Sequence, residues 1–132
     1  MSYEIIWEEE GFKIITTGVF GNDFLNASVK ATTDSRFINA KYAIVDFNGV
    51  TDFPIDSNTI REIAKSDTRA YKINPNMKLA VVANKLVMTG IANMYKTYFE
   101  LTNSDKSWAM KVFESEIEAR EWINAESKGQ ST

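Results

Sequence analysis

The sequence contains no cysteine and no histidine among its 132 residues. Without cysteine there are no disulfides, no thiolate ligands for a metal ion and no thiol nucleophile. Without histidine the chain lacks the side chain whose ordinary pKa lies nearest neutrality, which is also the commonest zinc ligand. The composition therefore excludes Ser–His–Asp chemistry, Cys–His chemistry and zinc hydrolysis.

Runs of basic residues and long apolar runs are missing as well. Lys and Arg total 15 against 18 Asp and Glu, and the formal net charge is −3. A general nucleic-acid binder needs a basic patch that displaces counterions from phosphate, so we expect no nucleic-acid partner. The N-terminal residues have no signal-peptide pattern, and no apolar run approaches the roughly 18–20 residues of a membrane span. We therefore expect a cytoplasmic protein without a membrane span.

The sequence does contain enough apolar residues to form one hydrophobic core. Hydrophobic residues make up 44% of the chain and charged residues 25%, with eight Phe, five Tyr and three Trp. These proportions are typical of a soluble globular domain. We expect a single domain over residues 1–126 and a disordered C-terminal tail over residues 127–132.

Alternating and continuous apolar patterns divide the chain into strands and helices. The predicted elements are strands at 3–8 and 12–17, a helix capped by Asn22 or Asp23 and running to about Phe37, a strand at 42–47, a helix ending at 74–76, a strand at 78–83, a helix at 86–101, a strand at 108–113, and a last helix opened by a capping box at 115–118. The order ββαβαβαβα predicts an α/β fold. We expect a mixed five-stranded sheet with parallel central strands, joined by right-handed crossovers and covered by about four helices.

Several segments together carry a resemblance to a known superfamily. They are Ala43–Thr51 (AIVDFNGVT), Lys78–Ala83 (KLAVVA), Gly90–Tyr95 (GIANMY), and the closing pairs Val112-Phe113, Glu118-Ala119 and Trp122-Ile123. This ordered set resembles the STAS superfamily of anti-anti-sigma-factor (SpoIIAA-like) domains, and in particular small bacterial proteins of STAS and SEC14 type. The resemblance implies a SpoIIAA-like fold without catalytic activity. It also implies binding of partner proteins, nucleotides or apolar ligands, with a serine phosphorylation switch in some members.

Ser57 is the candidate phosphoacceptor that the resemblance implies. Regulatory members carry their phosphorylated serine after an aspartate at the start of the helix that follows the third strand, and Asp56-Ser57 matches that position. Asn58-Thr59 departs from the small pair that is usual next, and the preceding loop is longer than expected. A phosphate there would meet free amides and the positive end of the helix dipole. The favoured interpretation is that Asp56 or Ser57 only caps the helix.

Three aspartates cluster around the carboxyl end of the third strand, where α/β sheets usually hold ligands. They are Asp46, Asp52 and Asp56. A magnesium site or a phosphoaspartate would need two or three of them to converge on one cation, and their spacing matches no such pattern. We therefore predict a solvated loop, with no metal and no cofactor, that belongs to a ligand or partner surface. If the protein were an enzyme, these would be the first catalytic candidates.

The helix predicted at 86–101 has more large apolar side chains than one sheet-facing stripe requires. At ~100° per residue, one face carries Val87, Ile91, Met94, Tyr95 and Tyr98, with Met88 and Phe99 at its margin. In the favoured interpretation, this face packs into the core and the remaining large side chains flank it. In the alternative, the helix borders an apolar cavity or a homodimer interface, where adaptable Met and aromatic side chains suit an irregular surface. The ligand or partner surface would then include Met88, Ile91, Met94, Tyr95 and Tyr98.

The sequence thus predicts a STAS-like binding or regulatory module that is not an enzyme. It acts through an unidentified protein partner or a small ligand. One alternative is a carrier of a small apolar or lipid-like molecule, as in SEC14-like proteins. The other is an anti-sigma-factor antagonist that is switched by phosphorylation.

Overall fold

A computed structural model describes residues 2–54, 56–103 and 106–130. Within these residues the chain forms five strands, four α-helices and one short 3-10 helix. In chain order they are β1 (Ser2–Trp7), β2 (Gly11–Val19), α1 (Asn22–Thr32), the 3-10 helix (Phe37–Asn39), β3 (Tyr42–Asp52), α2 (Ser57–Ile73), β4 (Lys78–Val82), α3 (Leu86–Thr102), β5 (Ala109–Phe113) and α4 (Glu116–Gln130).

All five strands belong to one mixed sheet in which they lie in chain order, β1-β2-β3-β4-β5. β1 and β2 form an antiparallel hairpin, and β2, β3, β4 and β5 are parallel. This arrangement confirms the predicted α/β fold, the mixed sheet and the element order. The domain boundary at residue 126 and the disordered tail over 127–132 stay predictions, and α4 is described as far as Gln130.

Helices cover both faces of the sheet, which is why Tyr42–Val45 of β3 and Leu79–Val82 of β4 are apolar at every position. α1, α2 and α3 pack on the face that carries Ala43, Val45 and Val81. α4 packs on the opposite face, against Ile44 and Val82. The larger core, and any internal site, therefore lies between the sheet and the first three helices. No helix in the described ranges combines the length and the apolar character that crossing a membrane requires.

α4 is fixed to the sheet by a network of charged side chains. The guanidinium of Arg120 donates two hydrogen bonds to the carboxylate of Glu8 (3.0 and 2.7 Å) and a third to Glu116 (2.8 Å). Lys13 donates to Glu116 at 2.9 Å, and the Tyr42 hydroxyl donates to Glu8. Hydrogen bonding to Arg120 lowers the pKa of Glu8. Because these contacts join β2, β3 and the residue that follows β1 to α4, the network fixes the helix to its face of the sheet.

α1 differs from its prediction at both ends. Its N-cap is Gly21 rather than Asn22 or Asp23, and those two residues lie in the first turn, where the Asp23 carboxylate faces the positive end of the helix dipole. The helix ends at Thr32 rather than near Phe37. The Thr33 hydroxyl donates back to the carbonyl of Val29 at 2.7 Å, a local bond that competes with continuation of the helix.

The predicted capping box at the start of α4 is present in modified form. The backbone amide of Glu118 donates to the Ser115 hydroxyl oxygen at 3.4 Å, as expected. The Glu118 carboxylate, however, accepts from the Ser115 hydroxyl at 3.2 Å. The two side chains therefore bond to each other at the beginning of the helix.

Asn74 joins the end of α2 to two other parts of the fold. Its buried amide group donates to the backbone carbonyls of Phe37 and Ala40, both at 2.8 Å. Its own backbone carbonyl accepts from the indole of Trp108 at 2.7 Å. Asn74 is therefore the side-chain donor to two buried carbonyls, of which that of Phe37 also accepts from the backbone amide of Ala40 at 3.0 Å.

Replacing this residue tests that role. Asn74→Ala should lower the free energy of unfolding by about 1–3 kcal/mol, because the buried carbonyl of Ala40 loses the Asn74 donor and that of Phe37 keeps only the backbone amide of Ala40. Asn76→Ala, at an exposed position two residues later, should change it by less than about 0.5 kcal/mol. Urea denaturation of both variants measures the difference, and equal stabilities would contradict the assignment.

Candidate functional site

A cavity lies between the sheet and the three helices α1, α2 and α3. Its volume is about 70 Å³, which is room for a few water molecules. Its wall is mainly apolar, and six of the lining residues are aromatic: Phe12, Phe20, Phe24, Phe47, Tyr95 and Trp108.

One part of the wall is polar and combines side chains from all three helices. Asp67 of α2 lies at its centre. One carboxylate oxygen of Asp67 accepts from the Ser28 hydroxyl of α1 at 2.8 Å, and the other accepts from the Tyr95 hydroxyl of α3 at 2.8 Å. We call Ser28, Asp67 and Tyr95 the polar wall. The cavity thus presents an apolar interior with one hydrogen-bonded acid at its edge.

Burial dominates the electrostatics of the polar wall. It raises the pKa of the Asp67 carboxyl to about 6, although the hydrogen bonds from Tyr95 and Ser28 and the charge of Arg69 favour the ionised form. Burial and the neighbouring Asp67 also raise the pKa of Tyr95 well above its ordinary value, so the phenol remains a donor at neutral pH. The Arg69 guanidinium donates to the Thr32 hydroxyl at 3.3 Å. Among the described residues no lysine or arginine forms a salt bridge with Asp67.

α3 forms one side of this cavity, although with a different face from the one predicted. Met88 is only 3% exposed whereas Val87 is 38% exposed. The buried side chains of α3 are Met88, Ile91, Ala92 and Phe99. The prediction placed Val87 inward because it considered only the large apolar side chains of the helix. It did not count Ala92, a small residue that lies on the buried face.

The five α3 residues predicted to form a ligand or partner surface therefore separate into two groups. Met88, Ile91 and Tyr95 line the cavity. Met94 and Tyr98 are half-buried and pack against the edge of the core, and the guanidinium of Arg61 lies 5.0 Å from the centre of the Tyr98 ring. A role of these side chains in binding stays a prediction.

The three predicted aspartates do not form one group. Asp46 accepts from the backbone amide of Asn48 at 2.8 Å, and Asp52 is exposed at the end of β3. Asp56 is the N-cap of α2 and accepts from the amide of Asn58 at 2.9 Å. Across the described ranges, no three acidic side chains are grouped so that they could hold a metal ion.

Ser57 is the first residue of α2 and is exposed. Because Asp56 supplies the cap, the serine hydroxyl is not needed to begin the helix. Ser57 lies at the same edge of the sheet as the start of α3, since both helices follow the carboxyl ends of parallel strands. Lys85, the residue before α3, contacts the end of β3 and the loop that leads to α2. Its ammonium group donates to the carbonyl of Val50 at 2.7 Å and lies 5.6 Å from the centre of the Phe53 ring.

Comparison with known proteins bears on the fold. No protein-family model matches the chain, and no curated protein matches it in sequence. Among solved structures, the anti-sigma factor antagonist SpoIIAA in its unphosphorylated form is similar, with a TM-score of 0.59 and 11% sequence identity over 93% of this chain and 98% of that chain. The chain has the SpoIIAA-like fold. The structural similarity thereby confirms the resemblance predicted from the sequence at the level of the fold.

Within this SpoIIAA-like fold, Asp67 and Ser28 are the site residues that sequence reasoning missed. The signal for Asp67 was present, because the buried stripe of α2 consists of Ile60, Ile63, Ala64, Asp67 and Ala70. An acid at a position where helical spacing requires an apolar residue indicates a buried carboxylate with special partners. Ser28 carries no comparable signal, since a small hydroxyl residue is common on either face of a helix.

The raised pKa of Asp67 predicts a pH-dependent stability. Between the ordinary value of 3.8 and the folded value of about 6, the folded protein retains a proton that the unfolded chain has released. Stability is therefore lost as the pH rises through this window. Asp67→Asn removes the loss, so its free energy of unfolding relative to wild type should increase by about 2–3 kcal/mol from about pH 4 to about pH 7.

Chemical denaturation at several pH values measures this difference. Asp52→Asn, at an exposed carboxyl, provides the matched control and should show a flat difference from wild type. A flat difference for Asp67→Asn as well would contradict the buried, pKa-shifted carboxyl.

Proposed function

We propose that this protein is a non-enzymatic binding module whose cavity holds a small, mainly apolar molecule. The cavity between the sheet and α1, α2 and α3 is the observation that carries the proposal. The residue inventory supports it, because the chain contains neither histidine nor cysteine. Both carboxylate oxygens of Asp67, the acid in the cavity wall, already accept hydrogen bonds.

The energetics of an apolar cavity favour occupation by an apolar ligand. Water inside it would find few hydrogen-bond partners, and apolar cavities of sufficient size stay dry and bind small apolar molecules. An empty space also deprives the surrounding side chains of dispersion contacts. A ligand would restore these contacts, and burying its apolar surface contributes about 25 cal/mol per Å².

The size of the cavity supports a small ligand over a long-chain lipid. A volume of about 70 Å³ is roughly half that of a cavity of about 150 Å³ that binds benzene, so a single ring enters only if the surrounding side chains move slightly, and a long lipid chain does not fit. The aromatic side chains that line the cavity also suit a ring, because they offer flat apolar surfaces and edge-to-face packing. Of the carrier functions considered from the sequence, we therefore propose the one with a small apolar cargo.

A cavity-filling variant tests the proposal. Ala92 is a small buried residue of α3 in the cavity wall, so Ala92→Leu should fill most of the space. Toluene at ten times its dissociation constant should stabilise the wild type by about 1.4 kcal/mol, which raises the thermal midpoint by a few degrees. The same concentration should have little effect on Ala92→Leu.

Ala125→Leu is the matched control, because residue 125 is exposed on α4 at the opposite face of the sheet. It should respond to toluene as the wild type does. Differential scanning fluorimetry measures all three proteins. No response in the wild type, or an equal response in all three, would contradict a ligand cavity at this position.

A second candidate function, partner binding regulated at Ser57, has a separate observation in its favour. The exposed serine lies at the same sheet edge as Leu86, whose side chain is 90% exposed at the start of α3. Exposed apolar side chains beside a modifiable hydroxyl suit a protein interface. A phosphate there would add close to two negative charges to that surface. SpoIIAA itself is described as an anti-sigma factor antagonist with an unphosphorylated form.

The stability of two variants tests whether Ser57 is free for such a role. Asp56→Ala should lower the free energy of unfolding by about 1 kcal/mol, because α2 loses its cap. Ser57→Ala should change it by less than about 0.5 kcal/mol. Urea denaturation compares them, and a loss at Ser57 as large as that at Asp56 would assign the serine a structural role. Once a partner is identified, Ser57→Asp and Ser57→Ala must differ in affinity for it.

A further inference from the structure

Asp67 is a buried acid that forms no salt bridge among the described residues. Its carboxylate oxygens accept hydrogen bonds from two neutral hydroxyls, and the guanidinium of Arg69, whose charge also acts on Asp67, donates instead to Thr32. A carboxylate has about four acceptor positions, so Asp67 retains capacity for a further donor. A buried charge is costly unless it is paired. The polar wall therefore leaves a place for a positive charge.

The rest of the cavity also favours a cation on an apolar body. Aromatic rings attract an ammonium group through their negative faces, and Tyr95 and Trp108 are among the lining residues. The apolar side chains opposite the polar wall, such as Val45 and Val81 of the sheet, suit a hydrocarbon group. Both kinds of surface line the same cavity.

We propose that the cavity selects an apolar primary amine, whose ammonium group donates to the Asp67 carboxylate while its hydrocarbon part lies among the aromatic rings. This inference rests on the proposed function, because it requires that the cavity holds a ligand. It adds the chemical class of that ligand and the residue that recognises it.

An amine fits this wall better than an alcohol or an acid does. An alcohol can also donate to the ionised carboxylate, but an ammonium group adds the Coulombic attraction between opposite charges in a site shielded from water. A ligand carboxylate would be repelled by the ionised Asp67. Around neutral pH Asp67 is mainly ionised, since its pKa is about 6. The other groups facing it are Arg69 of α2, the neutral Tyr95 of α3 and the Ser28 hydroxyl of α1, and the sheet side of the cavity is apolar.

Calorimetric titration with three probes of similar shape tests the inference. Toluene, benzyl alcohol and benzylamine share the ring and differ in the attached group. At about pH 7.5 the wild type should bind benzylamine at least about tenfold more tightly than benzyl alcohol. In Asp67→Asn this preference should disappear while the affinity for toluene is kept. Asp52→Asn, the exposed control, should retain the preference.

The pH dependence of the wild type supplies a second readout that needs no variant. Lowering the pH from about 7.5 to about 5 protonates most of Asp67, so benzylamine affinity should fall about tenfold while toluene affinity stays constant. This measurement decides the case if Asp67→Asn does not fold.

The outcomes separate the two proposals. If toluene binds but benzylamine binds no better than benzyl alcohol, the amine inference is overturned and the ligand cavity stands. If the amine preference survives in Asp67→Asn, the ammonium group is recognised elsewhere and the inference is again overturned. If none of the three probes binds the wild type, both proposals fail.

Discussion

The two hydrogen bonds from Ser28 and Tyr95 to Asp67 determine how the three helices on one face of the sheet meet. A carboxylate in the interior is tolerated only where donors surround it, and here one donor belongs to α1 and the other to α3 while the acid belongs to α2. The helices therefore approach one another through polar atoms at this point. The apolar side chains between them and the sheet leave space open, and the cavity is that space.

α2 connects the interior of the molecule with its proposed partner surface. It begins at Ser57 and carries Asp67 ten residues later, which is about 15 Å along a helix. The two candidate functions thus share one element, with the small-molecule site at its middle and the modifiable serine at its exposed end. Asp56 caps this helix, so its start is fixed independently of Ser57.

Much of the fold follows from local sequence patterns, because a strand buried on both faces and a helix with one apolar stripe leave clear periodicities. The continuous apolar runs of β3 and β4 placed the starts of both strands correctly, although β3 continues to Asp52 instead of ending at residue 47. The site was harder to predict, since its three members lie far apart in sequence and meet only through helix packing. Ala92 turned the inward face of α3 away from the predicted one, and Ser28 resembles any hydroxyl on a helix surface. Asp67 is the one member of the polar wall that the sequence could have revealed, because it interrupts the apolar stripe of α2.

The central claim is that the sheet and the helices α1, α2 and α3 enclose an accessible apolar space beside Asp67. A crystal structure determined under xenon gas tests this most directly, because xenon enters apolar cavities and scatters strongly. We expect ordered xenon between Val81 of the sheet and Ile91 of α3, both of which line the cavity. A core with no xenon there, and with side chains closed over that space, would contradict the account.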